Sequence, residues 1–167
     1  MAVNNEYPIL DGIAPSWADI IVKLTPTSGG VLVDLKDIAA INSASTLEIG
    51  EQRGASGGRV IRRTTGSVSN EASITFYRSG YQKMLRELAK LAPVRGNQKL
   101  VGLVHFQIQV QHTPPGEEEI FEYIIKGCRL KGRTLNGTEG SDPDQVEVPM
   151  SVIEIADIID GEEVVML

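Results

Sequence analysis
The sequence predicts a mainly β domain with one flanking α-helix, and three observations carry that prediction. Residues Ser67 to Tyr77 alternate, with Val68, Ala72, Ile74 and Phe76 on one face and Ser67, Ser69, Glu71, Ser73 and Thr75 on the other. A period of two over this length marks a strand with one buried and one wet face. Tyr81, Met84, Leu85, Leu88 and Leu91 then recur at helical spacing, opposed by Lys83, Arg86, Glu87 and Lys90. That stripe predicts a surface helix over about 81–92, stopped by Pro93, with Ser79-Gly80 as the break before it. Finally, aromatics make up only 5% of the chain, so the core must rest on Val, Ile and Leu, which suit strands.

The rest of the chain reads as strand and turn. Residues 1–16 carry Pro8, Gly12 and Pro15 without periodicity, which predicts an extended N-terminal arm, frayed or pinned by a neighbouring subunit. Beside Trp17, the sole tryptophan, Ile20, Val22 and Leu24 alternate with Ile21 and Lys23 in a first strand ending at Pro26. Ser28-Gly29-Gly30 forms a turn, Val31 to Leu35 a short second strand, and Ile38 to Ile49 an irregular one. Residues 50–66 stand apart: Gly50, Gly54, Gly57, Gly58 and Gly66 surround Arg53, Arg59, Arg62 and Arg63. Glycine at this density weakens any regular element, so the segment reads as a long protruding loop or a splayed hairpin. Loops of this length without core residues are uncommon unless functional or disordered, which makes 50–66 the foremost interaction element.

After the helix, Arg95-Gly96-Asn97 turns into a strand where Val104, Phe106, Ile108 and Val110 alternate with His105, Gln107, Gln109 and Gln111. Pro114-Pro115-Gly116 reverses the chain, and a returning strand from about Ile120 to Arg133 completes a long hairpin. The apolar face changes between Ile125 and Cys128, predicting a bulge near Gly127. Leu135 to Thr138 and Gly140 to Pro143 read as loop. The last firm strand spans Gln145 to Ile155, where Pro149 argues for an edge or bulged strand. Residues 156–167 read as a C-terminal tail: a turn and a short apolar tip that needs a partner surface.

At 167 residues the chain is expected to be one domain, 1–167, long enough for a hydrophobic core. No apolar run approaches the roughly 20 residues of a membrane span, and Met1 to Leu10 lacks the basic and apolar regions of a secretory signal. Cys128 is the single cysteine and forms no internal disulfide. These features predict an intracellular, soluble protein.

Charge is blocked along the chain. Residues 1–52 hold two basic and seven acidic side chains (−5), residues 53–133 fourteen and six (+8), and residues 134–167 none and nine (−9), giving the net charge of −6. Segregated charge of this kind favours contact between copies or partners, unless the blocks interleave in space into a mixed surface.

Catalytic chemistry finds no constellation. His105 and His112 are an odd number of residues apart on one strand and point to opposite faces. Neither is near Cys128 in sequence, and metal-ligand spacing is absent. Asp142-Pro143-Asp144 begins like a calcium loop but does not continue as one. The glycine-rich stretch lacks the Gly-Lys-Ser/Thr ending of a phosphate loop. Arg62-Arg63 is locally basic, but the chain is acidic overall and no aromatic accompanies the arginines for base stacking. The sequence therefore predicts no enzyme, no cofactor and no metal.

In layout the chain resembles the tube proteins of phage tails and related contractile injection machines. The resemblance lies in the strand 67–77 leading into helix 81–92, the hairpin 100–133, and the glycine- and arginine-rich segment 50–66 before them. It implies a β-barrel or sandwich with one flanking helix, assembled as hexameric rings stacked into a tube. Strands of neighbouring subunits would line the channel, and the long loop and terminal arms would bridge rings. The implied partners are other copies of the chain, sheath, baseplate and tail-terminator proteins, and DNA passing through the lumen without tight binding, with no membrane insertion. The implied place is the virion tail, after synthesis in the host cytoplasm. Residues Arg53, Arg59, Arg62 and Arg63 would reach an adjacent subunit, with Glu147, Glu154, Asp157 and Asp160 as the acidic partners. Gln107, Gln109 and Gln111 would face either the lumen or solvent. Rival readings are a bacteriocin or secretion-system tube, and a monomeric β-barrel that binds a ligand or protein.

Overall fold
The computed structural model describes residues 20–27, 33–54, 58, 60–112, 121–137 and 144–165. Its strands are β1 (Ile20–Pro26), β2 (Val33–Leu35), β3 (Ile38–Arg53) and β4 (Val60–Tyr77), followed by the helix α1 (Arg78–Leu91). Then come β5 (Val94–Arg95), β6 (Gln98–Lys99), a short 3-10 turn at Val101–Leu103, β7 (Phe106–His112) and β8 (Phe121–Leu130). The chain finishes with β9 (Thr134–Asn136), β10 (Gln145–Ser151), β11 (Glu154–Ile159) and β12 (Glu162–Val165). The mainly β class with one helix is what the alternation and the single helical stripe predict.

Ten strands share one antiparallel sheet in the order β2-β1-β7-β8-β10-β4-β3, with β9 beside β10 and the β11–β12 hairpin beside β8. The sheet bends on itself so that both halves feed one core. Val22, Leu24, Phe106, Ile108 and Ile125 come from one half, Ile74, Phe76, Val146, Val148 and Met150 from the other. Tyr81, Met84 and Leu88 of α1 close the open side of that core. Burying each such side chain contributes about 1.5–3 kcal/mol, which makes this cluster the main source of stability. The sheet is not closed into a barrel, since no ladder among the described residues joins β2 to β3.

Two consecutive strands, β10 and β11, connect the two halves. β10 pairs with β8 at Met150↔Leu130 and Ser151↔Arg129. Past buried Val152, Ile153 N–H donates to Lys126 C=O at 3.1 Å. β11 then pairs with the rest of β8, from Glu154↔Lys126 to Ile158↔Glu122. The crossing depends on the bulge expected near Gly127: β8 carries one more residue than β7 between the Phe106↔Cys128 and Ile108↔Ile125 pairs. Gly127 has φ 65°, and a Cβ there would lie 2.5 Å from Ile153, so both conformation and space require glycine.

Several boundaries differ from the sequence expectation. The helix starts at Arg78 rather than 81: Ser79 and Gly80 belong to its first turn. Ser79 Oγ donates to Asp37 Oδ2 at 2.8 Å, and a Cβ on Gly80 would meet Lys36 C=O at 2.4 Å. That glycine serves close packing and does not break the chain. The expected loop at 50–66 is mostly strand, because β3 runs to Arg53 and β4 begins at Val60; the splayed-hairpin alternative is the one found. Residues 156–165 of the expected C-terminal tail form most of an ordered hairpin rather than an extension. Thr134 to Asn136, expected as loop, pair with β10 as a short strand.

Pro149 sits on an internal strand, not an edge. Its C=O accepts from Lys131 N–H at 3.0 Å, so its nitrogen faces the gap between β8 and β9 and no bond to β4 is lost. The N-terminal arm 1–16, Trp17, Arg59, the Pro114-Pro115-Gly116 turn, Asp142-Pro143 and the Met166-Leu167 end lie outside the described residues.

Candidate assembly surfaces
The β3–β4 ladder extends well beyond the body. β10 covers β4 only from Tyr77 to Glu71, whereas β3 and β4 remain paired out to Arg53↔Val60. The uncovered part is a two-stranded ribbon, held to the body at its base by Asn70 Nδ2 donating to Ile153 C=O at 2.7 Å. Ile49, Val60 and Val68 are exposed along it, so backbone bonds, not burial, maintain it. Its bulge between Leu47↔Val68 and Ile49↔Thr65 is built on Gly66, where a Cβ would fall 1.5 Å from Glu48 C=O. Thr64 Oγ1 donates to Gly50 C=O at 3.2 Å across the same ribbon.

Arg62 pairs in register with Gln52 and Arg63 with Glu51, so the two arginines point to opposite faces. Arg53 lies 3.5 Å from Glu51, both solvent-exposed, which is worth at most about 1 kcal/mol. Among the described residues, no carboxylate lies within ion-pair distance of Arg62 or Arg63.

The four acidic candidates occupy different settings. Glu147 is half-buried on β10, in register with Thr75 and Thr134. Glu154 accepts from Lys126 Nζ at 3.1 Å, and Lys126 also reaches Glu163 on β12. Those two carboxylates, Glu163 first, push the lysine pKa up from its ordinary value of 10.5. Asp157 stands opposite Tyr123, whose phenol pKa is raised first by burial and then by that carboxylate. Asp160 is exposed at the tip of the β11–β12 hairpin; with φ 53° at Asp160 and 81° at Gly161, the tip is a two-residue turn of the primed type. Among the described residues none of the four meets a ribbon arginine within one chain.

Two further features matter for assembly. On β7, the Gln109 and Gln111 amides both donate to the Glu122 carboxylate, Gln111 at 3.0 Å, so the glutamine row binds its neighbouring acid. On the other side of the molecule, α1 and β9 border a groove of about 380 Å³. Arg78 there pairs with Asp144 at 3.2 Å, and Arg133 donates to Tyr81 Oη at 3.4 Å. These partners are 66 and 52 residues apart in sequence, and no local pattern announces them.

Cys128 is buried, its thiol donating to Ile125 C=O at 3.3 Å; burial pushes its pKa up to about 12, which makes it a core residue. Among the described residues no group of three His, Cys, Asp or Glu side chains is placed to hold a metal ion. No helix among them is long and apolar enough to cross a membrane.

By sequence, the chain matches no protein-family model and no curated protein. By structure it has clear counterparts. A chain in the sheath/tube terminator of PVC, an extracellular contractile injection system, superposes with a TM-score of 0.63 at 11% identity, over 87% of this chain and 96% of that one. A chain in the anti-feeding prophage baseplate gives 0.60 at 8% identity, over 86% and 93%. The SPP1 tail tube gives 0.59 at 15% identity, over 89% and 82%. At these identities it is the fold that is shared.

Proposed function
We propose that this chain, which carries the tube fold of phage tails and contractile injection systems, is a non-catalytic subunit that closes into hexameric rings. The rings stack into the inner tube of a virion tail, a conduit for DNA into the host. The equivalent tube of a bacteriocin or secretion-type system is the same reading with a different cargo.

The observation that carries the reading is the outer edge of β3. Between its bulges, from Ala40 to Leu47, this edge holds no proline and no charged residue. Among the described residues no strand pairs with it. Sheets guard free edges with charge, proline or irregularity, because an open row of N–H and C=O groups recruits another strand. The path through the sheet ends in β2 on the other side, with β9 and β12 as further strands paired on one side only among the described residues, so the edge of β3 has no like edge to meet. Joining unlike edges makes a heterologous contact, which repeats around a ring until it closes.

In this reading Arg53, Arg62 and Arg63 on the β3–β4 ribbon, and Arg59 next to it in sequence, reach an adjacent copy, where Glu147, Glu154, Asp157 and Asp160 are the candidate partners. Sheath, baseplate and tail-terminator proteins are the further partners. The cargo must slide, and a lumen with few fixed cations permits that, since fixed cations hold phosphates by counterion release. On the glutamine face of β7 the amides hold the Glu122 carboxylate, and Lys23 of β1 is the cation opposite Gln109.

Electron microscopy of the purified full chain at high concentration tests the proposal: rings or tubes are expected. A strictly monomeric species at every concentration and salt overturns it. Replacing Arg59, Arg62 and Arg63 together with Glu should leave the domain folded but shorten the tubes; unchanged tube lengths would show the ribbon charges to be incidental.

A further inference from the structure
Two local features at opposite ends of the strand direction carry complementary charge: the groove beside α1, and the acidic β11–β12 hairpin, which shares its end with the ribbon arginines. β8 provides the ruler. Its Leu130 end pairs with Met150 and leads to Arg133, which touches Tyr81 of α1. Its Glu122 end pairs with Ile158, one residue before the exposed Ile159 and the Asp160-Gly161 turn. The interval between Glu122 and Leu130 is roughly 25 Å at strand rise. The α1 groove and the β11–β12 turn therefore lie at opposite ends.

The α1 end is cationic. Arg78 is taken by Asp144, and Lys90 by Glu87. Lys83, Arg86 and Arg133 meet no carboxylate among the described residues. The groove floor is apolar, with Leu85 and Leu135 in its lining, and Leu135 is 63% exposed. At the other end the hairpin is anionic and apolar together: Ile159 is 56% exposed, and Asp160 and Glu162 meet no cation among the described residues. Lys126 is already bound to Glu154 and Glu163. The primed turn holds this tip in one shape, so little ordering entropy is lost when it docks.

We propose that the β11–β12 turn of one copy seats in the groove between α1 and β9 of the next. Ile159 covers the Leu85–Leu135 floor, and Asp160 and Glu162 face Arg133 in the groove lining. The occupant is a second copy because the β11–β12 hairpin of this chain is acidic, carries the exposed Ile159 beside its turn, and lies at the end opposite the groove. The ribbon arginines are a poorer match for Asp160. From Glu71 the ribbon leaves the body in the same direction as the hairpin, so across a head-to-tail junction the two lie on the same side. The contact is polar and repeating, and it deepens the tube reading, on which it rests.

Charge exchange in the full-length protein tests it. Arg133→Glu alone, or Asp160→Lys with Glu162→Lys, should reduce stacked rings about tenfold while single rings persist. Combining all three substitutions should restore stacking, which also separates a lost contact from a misfolded variant. Tubes of unchanged length in either single set, or a combined variant no better than its parents, overturns the docking while leaving the ring reading intact. A wild-type chain that forms no rings overturns both.

Discussion
The body of this protein and its β3–β4 ribbon are the same ladder under two regimes. From Glu71 to Tyr77, β4 lies between β3 and β10, and Ala72, Ile74 and Phe76 are buried. From Val60 to Asn70 the same strand keeps β3 as its partner but loses β10, and Val60 and Val68 on it face solvent. An isolated two-stranded ribbon is marginal in water because it buries almost nothing. The body thus supplies stability, and the ribbon draws on it for a protruding surface. Mutations should divide along that line.

The largest effect is expected in the body. Phe106→Ala removes a fully buried ring and should cost about 3–5 kcal/mol by denaturant titration. Val68→Ala on the ribbon should stay within about 0.5 kcal/mol. Comparable losses at the two sites would mean that the ribbon folds as part of the core.

Next comes the ribbon's own support. Gly66→Ala cannot keep the bulge, since its Cβ would collide with Glu48 C=O. Amide exchange from Thr46 to Arg53 should rise about tenfold, as local opening replaces a paired ribbon. The melting temperature of the body should not move. A cooperative loss of both regions would erase the distinction drawn above.

The smallest effect concerns the hairpin at the far side of β8. The Lys126 pKa is raised by Glu163 and then Glu154. Its contribution is therefore complete below the unfolded lysine value and lost as pH rises through the elevated one. Exchange protection at Val164 and Val165 should hold through neutral pH and fall only above about 10.5. A fall near neutrality would assign the hairpin's order to some other group.

What the sequence made legible follows the same division. Strand 67–77, the helical stripe and the Gly127 bulge were readable because burial imposes a period on side chains. The ribbon was obscured because its regularity lies in backbone bonds: Gly50 and Gly66 are there for close approach to Thr64 and Glu48, yet in sequence they resemble loop residues. In the β11–β12 hairpin the turn is legible in Asp160-Gly161, the pair favoured by primed turns, but the short flanking strands carry too little alternation to announce their pairing. The α1 groove had none, because Arg133 meets Tyr81 and Arg78 meets Asp144 only after the chain has folded.

The crossing of the chain from one half of the sheet to the other at Val152 and Ile153 has a mechanical consequence. Tension applied at the Asp160 tip would run along β11 and β10 in line with β8, loading their bonds in shear, many at once. Pulling the ribbon away from the body would instead peel its contacts in succession. The far hairpin is thus the stiffer handle by which one molecule can haul on another.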